Sequence, residues 1–172
     1  MVQELADVGP YTSGGFIPLS WAAKCGNEAA VKMLLEQGDV SPSTADENGE
    51  TPLFIAPCEG HEGVVKKLLE RRNVNPNTAN GDDETPLFGA ACEGPEGVVK
   101  ILLGRNDVSP DTADEHGQTP HLIAAWKGHE RVVKMLIERA DLNPNTADEC
   151  GQRPLFIAAR KGRERIVRIL LE

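Results

Sequence analysis

Short apolar stripes punctuated by lysine run along the chain at regular intervals. In VVKKLLE (64–70), Val64, Val65, Leu68 and Leu69 fall on one face of a 3.6-residue period, which predicts an amphipathic helix. Ahead of it, Thr51-Pro52 reads as a helix start, a threonine cap with proline where its missing N–H costs nothing. LFIAPCE then continues to Gly60, a suitable helix end, and the second helix is expected near His61-Glu62. VNPNTANGDDE, polar and rich in turn formers, reads as an extended turn.

This helix–turn–helix–loop unit recurs. Pro18, Pro52, Pro86, Pro120 and Pro154 are each 34 residues apart, as are Gly26, Gly60, Gly94, Gly128 and Gly162, and Glu28, Glu62, Glu96, Glu130 and Glu164. The same shift superposes Pro42, Pro76, Pro110 and Pro144 within DVSPSTAD, NVNPNTAN, DVSPDTAD and DLNPNTAD. No helix pair of this size buries its apolar face alone, so the units must stack.

The segments GETPLFIAPCEGHEGVVKKLLE and GQTPHLIAAWKGHERVVKMLIE resemble ankyrin repeats, whose signature is Thr-Pro-Leu-His-x-Ala. The resemblance implies an all-α solenoid of stacked helix–turn–helix units with long β-hairpin-like loops. Repeats are expected at about 14–47, 48–81, 82–115, 116–149 and 150–172, the last ending in its second helix, within a single domain spanning 1–172. Residues 1–13 read as the remnant of a preceding unit or as an N-terminal cap. The whole reads as a fragment of a longer array. The usual His slot holds Ser20, Phe54, Phe88, Leu122 and Phe156, so apolar packing is expected to replace Thr–His bonding between repeats. The long loop is similar to multi-repeat arrays of large fungal sensor proteins of the nucleotide-binding type.

Three irregularities stand out. Pro57 sits inside a first helix, where a proline costs about 3 kcal/mol and predicts a kink. Gly89 replaces the apolar residue found at Trp21, Ile55, Ile123 and Ile157, which leaves a small void or draws neighbours in. In NGDDE the loop glycine lies two places early, at Gly81, which predicts a different backbone path at that tip.

Composition narrows the function classes. Hydrophobic residues make up 40% and aromatics 4%, so the core must be aliphatic and alanine-rich. Of the net charge of −9, residues 1–100 carry 7 Lys+Arg against 16 Asp+Glu, while 101–172 carry 11 of each. An acidic first half lacks the basic footprint of a nucleic-acid binder. No apolar run reaches 18 residues, so no membrane span is expected. Four cysteines without paired spacing suit reduced thiols in the cytoplasm or nucleus.

Catalysis finds little support. No phosphate loop, nucleophile elbow or zinc motif is present, and neither metal nor cofactor is expected. His61 and His129 lie in Gly-His-x-Glu turns, where the resemblance implies a structural role, and His121 occupies the slot of Leu53 and Leu87, which predicts burial with a partner. Cys58 and Cys92 are about one repeat apart, roughly 10 Å by helix packing and beyond disulfide reach. They read as unreactive thiols.

The resemblance implies contacts at the loop tips and the exposed ends of the first helices. The candidate partner-binding residues are Asn48, Glu50, Asp82, Asp83, Glu115, His116 and Gln118 at the tips. On the helices they are Lys24, Cys58, Glu59, Cys92, Glu93, Trp126, Lys127, Arg160 and Lys161. These positions vary while the scaffold repeats, as binding or drift at exposed sites would each produce. Trp126 is the exception: an exposed tryptophan in a groove row is an interface anchor. The expected function is non-catalytic binding of a protein or peptide in a concave groove. The alternatives are a structural spacer in a larger protein and, last, a cysteine-based enzyme. A monomer is expected, with the apolar stripe of Ile166, Val167, Ile169, Leu170 and Leu171 open to end-to-end association.

Overall fold

A computed structural model describes residues 17–37 and 40–172. Among these, ten helices form five pairs and no strand is present: α1 (Pro18–Lys24) with α2 (Glu28–Glu36), α3 (Pro52–Cys58) with α4 (Glu62–Leu69), α5 (Pro86–Glu93) with α6 (Glu96–Leu103), α7 (Pro120–Lys127) with α8 (Glu130–Ile137), and α9 (Pro154–Arg160) with α10 (Glu164–Leu171). The reading of 1–13 as a remnant or cap lies outside the described residues.

Each first helix starts at the proline of the 34-residue repeat. Thr51 and Thr85 cap their helices, each Oγ1 accepting from the N–H of Phe54 or Phe88 at 3.2 Å. Thr119 does not cap, because its hydroxyl shares a 2.9 Å hydrogen bond with His121 Nδ1. A Thr–His bond therefore exists in one repeat, made by a histidine one place earlier than the usual slot. Phe54, Phe88 and Leu122 are buried as expected, but Phe156 is 54% exposed. Apolar packing takes the histidine's place at the slots of Phe54, Phe88 and Leu122, while Ser20 fills its slot with a buried hydroxyl.

Helices of seven to nine residues are too short to persist alone, so stacking sets their stability. The first helices pack in the order α1, α3, α5, α7, α9 and the second helices in the order α2, α4, α6, α8, α10, with each pair also joined internally. One continuous core results. Ala23, Ala56, Ala90, Ala124 and Ala158 are fully buried in it, with Val64, Leu68, Val98, Leu102, Val132, Leu136 and Ile166 from the second row. Fully burying each such leucine contributes about 1.5–3 kcal/mol. The final stripe faces inward: Ile166 is buried, and Val167, Ile169 and Leu170 pack on the core. Val167, Ile169 and Leu170 keep part of their surface open, and Leu171 is exposed.

Side chains also tie each repeat to the one before. His61 Nε2 lies 2.9 Å from the Lys24 carbonyl and His129 Nε2 lies 2.9 Å from the Cys92 carbonyl. A carbonyl only accepts, so both rings carry their proton on Nε2 and are committed to the scaffold. Arg163 does the same for the Lys127 carbonyl at 3.0 Å. A second series not anticipated from the sequence is Arg71, Arg105 and Arg139, again 34 residues apart. They donate to the carbonyls of Leu35 (2.9 Å), Leu69 (3.2 Å) and Leu103 (2.7 Å), at the C-terminal ends of the preceding second helices, where positive charge is favoured.

The irregularities resolve individually. α3 runs through buried Pro57 to Cys58. At Gly89 the neighbours have moved in: an added Cβ would stand 2.5 Å from Cys58 Sγ and 3.5 Å from Phe54. The tip of the third loop does not follow a different path, because Asp83 adopts φ +60° in the slot of Gly49 (+77°), Gly117 (+73°) and Gly151 (+74°). Aspartate tolerates this left-handed conformation better than most residues, so the loop glycine is dispensable there.

Candidate functional site

Each loop tip is a closed turn. Asp46 Oδ1 accepts from the N–H groups of Asn48 and Glu50, both at 2.9 Å, and Asp114 repeats this with His116 and Gln118. Asn80 offers the same oxygen to Asp82 and Glu84. Successive tips are linked by backbone bonds from Gly81 to Asn48 (2.8 Å), Glu115 to Asp82 (3.1 Å) and Glu149 to His116 (3.1 Å). The tips thus form one connected row beside the ends of the first helices. Asn48, Asp82, Asp83, Glu115 and His116 are exposed on it, and Glu50 and Gln118 are half-buried.

The first three repeats make this row acidic. Burial raises the Glu50 carboxyl above its ordinary range, with Asp46, Glu84 and Asp82 adding to the effect against Lys24. Glu84, one repeat on, is raised by burial as well, against its hydrogen bond from Asn80. Glu59 and Glu93 are exposed at the helix ends, next to half-buried Cys58 and Cys92. Burial, reinforced by Glu50, Glu93 and Glu84, pushes the Cys58 thiol up to about 12. Its S–H donates to the Phe54 carbonyl at 3.3 Å. Burial raises Cys92 too, with Lys127 pulling the other way. A thiolate nucleophile is disfavoured at both positions.

In the fourth and fifth repeats the same slots turn basic and aromatic. Trp126 is half-buried, not the exposed ring expected from sequence, because its own neighbours cover it. Lys161 Nζ lies 3.7 Å from the ring centroid and the Arg160 guanidinium carbon 5.2 Å away, with the Phe156 ring 5.6 Å beyond that guanidinium. Lys127, Arg160 and Lys161 are exposed, and among the described residues none of them forms an ion pair. On the second-helix row, by contrast, Arg131 pairs with Glu96 at 3.1 Å and Arg165 with Glu130 at 3.3 Å.

At the opposite end, α1, α3 and the tip 46–50 enclose a cavity of about 190 Å³. Lys24, Glu50, Cys58 and Glu59 line it, four of the positions expected from sequence, together with Ser20 and Trp21, which were not. Trp21 occupies a slot filled by isoleucine in other repeats and so read as packing, yet it is 52% exposed.

His121 is fully buried, as its slot predicted. Burial lowers it to about 4, against the pull of Asp111, whose Oδ1 is 3.8 Å from Nδ1. Among the described residues no group of three or more His, Cys, Asp or Glu is placed to hold a metal, and no helix is long and apolar enough to cross a membrane.

The family described as ankyrin repeats (3 copies) matches residues 1–80 and 72–148, and that described as ankyrin repeats (many copies) matches 132–171. No curated protein matches the sequence.

Proposed function

This chain belongs to the ankyrin-repeat family, whose repeats are generally protein–protein interaction modules, and we propose that it binds a segment of a partner protein without catalysis. The segment lies along the row of loop tips and first-helix ends, with Trp126 as its anchor. One observation carries the reading: Arg160 and Lys161 lie against a half-exposed tryptophan beside exposed Lys127, none of the three forms an ion pair among the described residues, and the second and third repeats carry Cys-Glu in these slots. A scaffold needs none of these groups. An acidic residue beside an apolar side chain on the partner satisfies both the cations and the ring. The acidic first half disfavours nucleic acid.

The test is selection of peptides from a displayed random library on the whole chain, followed by Lys127→Glu with Lys161→Glu. The selected peptides are expected to carry Asp or Glu and to lose binding to the charge-reversed variant. No selectable binder, or binders indifferent to the reversal, overturns the reading.

A second reading, a spacer that stacks on another folded unit, is favoured by the exposure of Phe156 (54%) in a slot buried at Phe54 and Phe88.

A further inference from the structure

We propose that the cavity between α1 and α3 is a second subsite of the same row and takes a Lys or Arg side chain of the partner protein, its stem along Trp21 and its cationic head facing Glu50 and Glu59. The proposal rests on the binding role assigned above and adds the chemistry of the other end of the bound segment.

The volume of about 190 Å³ is below the roughly 300–1,000 Å³ of pockets that hold small-molecule ligands, so it suits one inserted side chain. Its walls supply the parts that a long cationic side chain requires. Trp21 offers an aromatic face that favours a cation, and Asp46, Glu50 and Glu59 offer carboxylates against the single cation Lys24. Lys24 offsets them only in part: it favours the charged form of Glu50, but its Nζ stands 6.0 Å from the Trp21 ring and it forms no ion pair among the described residues.

An independent feature points the same way. Ser20 also lines the cavity, is 5% exposed, and its hydroxyl has no hydrogen-bond partner among the described residues. A buried hydroxyl without a partner is a standing cost, and an ammonium or guanidinium donor entering the cavity removes it. Burial raises the partly buried Glu50 carboxyl, with Asp46, Glu84 and Asp82 adding to the effect and Lys24 opposing it, so a further cation at the cavity would be favoured.

Residues 1–16 contain no Lys or Arg. With the basic, aromatic subsite in the fourth and fifth repeats, the row has opposite polarity at its two ends. A bound segment then has one orientation, basic side chain toward α1 and acidic side chain toward α9.

The chain has two tryptophans, one in each subsite, so their indole N–H signals report the two ends separately. The test titrates the full chain with N-acetyl-arginine methylamide and, as a neutral isostere, N-acetyl-citrulline methylamide, following both signals by NMR. The arginine probe is expected to shift Trp21 saturably, about fivefold more tightly than the citrulline probe, and to leave Trp126 in place. Glu50→Gln with Glu59→Gln is expected to remove that preference. Exposed Glu59→Gln alone keeps the test valid if the double variant unfolds. An equal response to the two probes, or no saturable shift at Trp21, overturns the subsite. Movement of Trp21 with protein concentration alone assigns the cavity to a second copy and likewise overturns it. A Trp21 response alongside peptide binding that ignores Lys127→Glu with Lys161→Glu sinks the Trp126 reading and leaves this cavity standing.

Discussion

The Lys161 ammonium stands 3.7 Å from the centre of the Trp126 ring, within one repeat-to-repeat contact of the stack. Lys161 is the residue after the slot that Trp126 occupies one repeat earlier, so the contact pairs a helix end with the next helix end. It holds the indole in a fixed, half-open position with a cation already over one face. A double-mutant cycle on Lys161→Met and Trp126→Leu, read by urea unfolding, should give a coupling of ~0.5–1 kcal/mol. Additive single effects would show that the contact contributes nothing to the folded state.

Gly89 and Cys58 share one space. Gly89→Ala places a methyl 2.5 Å from the Cys58 sulfur and should destabilise the chain by ~1–3 kcal/mol. In a Cys58→Ala background the same change should cost less than ~1 kcal/mol, because the sulfur has gone. Equal costs in both backgrounds, measured by chemical denaturation, would rule out this packing relation.

Asp83 holds φ +60° where three other loops use glycine. Asp83→Val should destabilise by ~1–2 kcal/mol, since a β-branched residue resists the left-handed region. Asp82→Val, next door and equally exposed, should stay within ~0.5 kcal/mol. Similar melting curves for the two variants would contradict the shared tip geometry.

His121 makes stability depend on pH. Its folded value, lowered to about 4, lies below the unfolded 6.5, so between them the unfolded chain binds the extra proton. Stability present above pH 6.5 is therefore lost as the pH falls toward about 4, by roughly 3 kcal/mol at most. His121→Leu, which restores the residue at slots 53 and 87, should flatten this part of the curve. The wild-type-minus-variant difference isolates the histidine from the carboxylates. A difference independent of pH would exclude the buried, neutral ring.

The repeat made the scaffold legible because every structural slot is tested several times within one chain. Threonine caps, proline starts and the His61 and His129 ties all belong to slots that recur. What the pattern hid depends on contacts across repeats. Asp83 looked like a displaced glycine because identity alone does not show φ. Thr119 occupies the slot of the Thr51 cap, but His121 competes for its hydroxyl. Trp126 read as exposed because the ring is covered by Arg160 and Lys161, 34 and 35 positions later. Trp21 read as packing because its slot holds isoleucine in three other repeats, and nothing local to it signals the cavity that Glu50 and Glu59 complete. The periodic arginines 71, 105 and 139 were visible in the spacing, but their carbonyl partners belong to the preceding repeat.

The row of loop tips and first-helix ends that bears Trp126 is proposed as a protein-binding surface. Calorimetric titration of the whole chain with the tightest peptide from the displayed library tests it most directly, comparing wild type with Trp126→Ala. Loss of an anchor residue should weaken binding at least about tenfold, with the helical circular dichroism unchanged. Equal affinity for a folded Trp126→Ala chain would contradict the account.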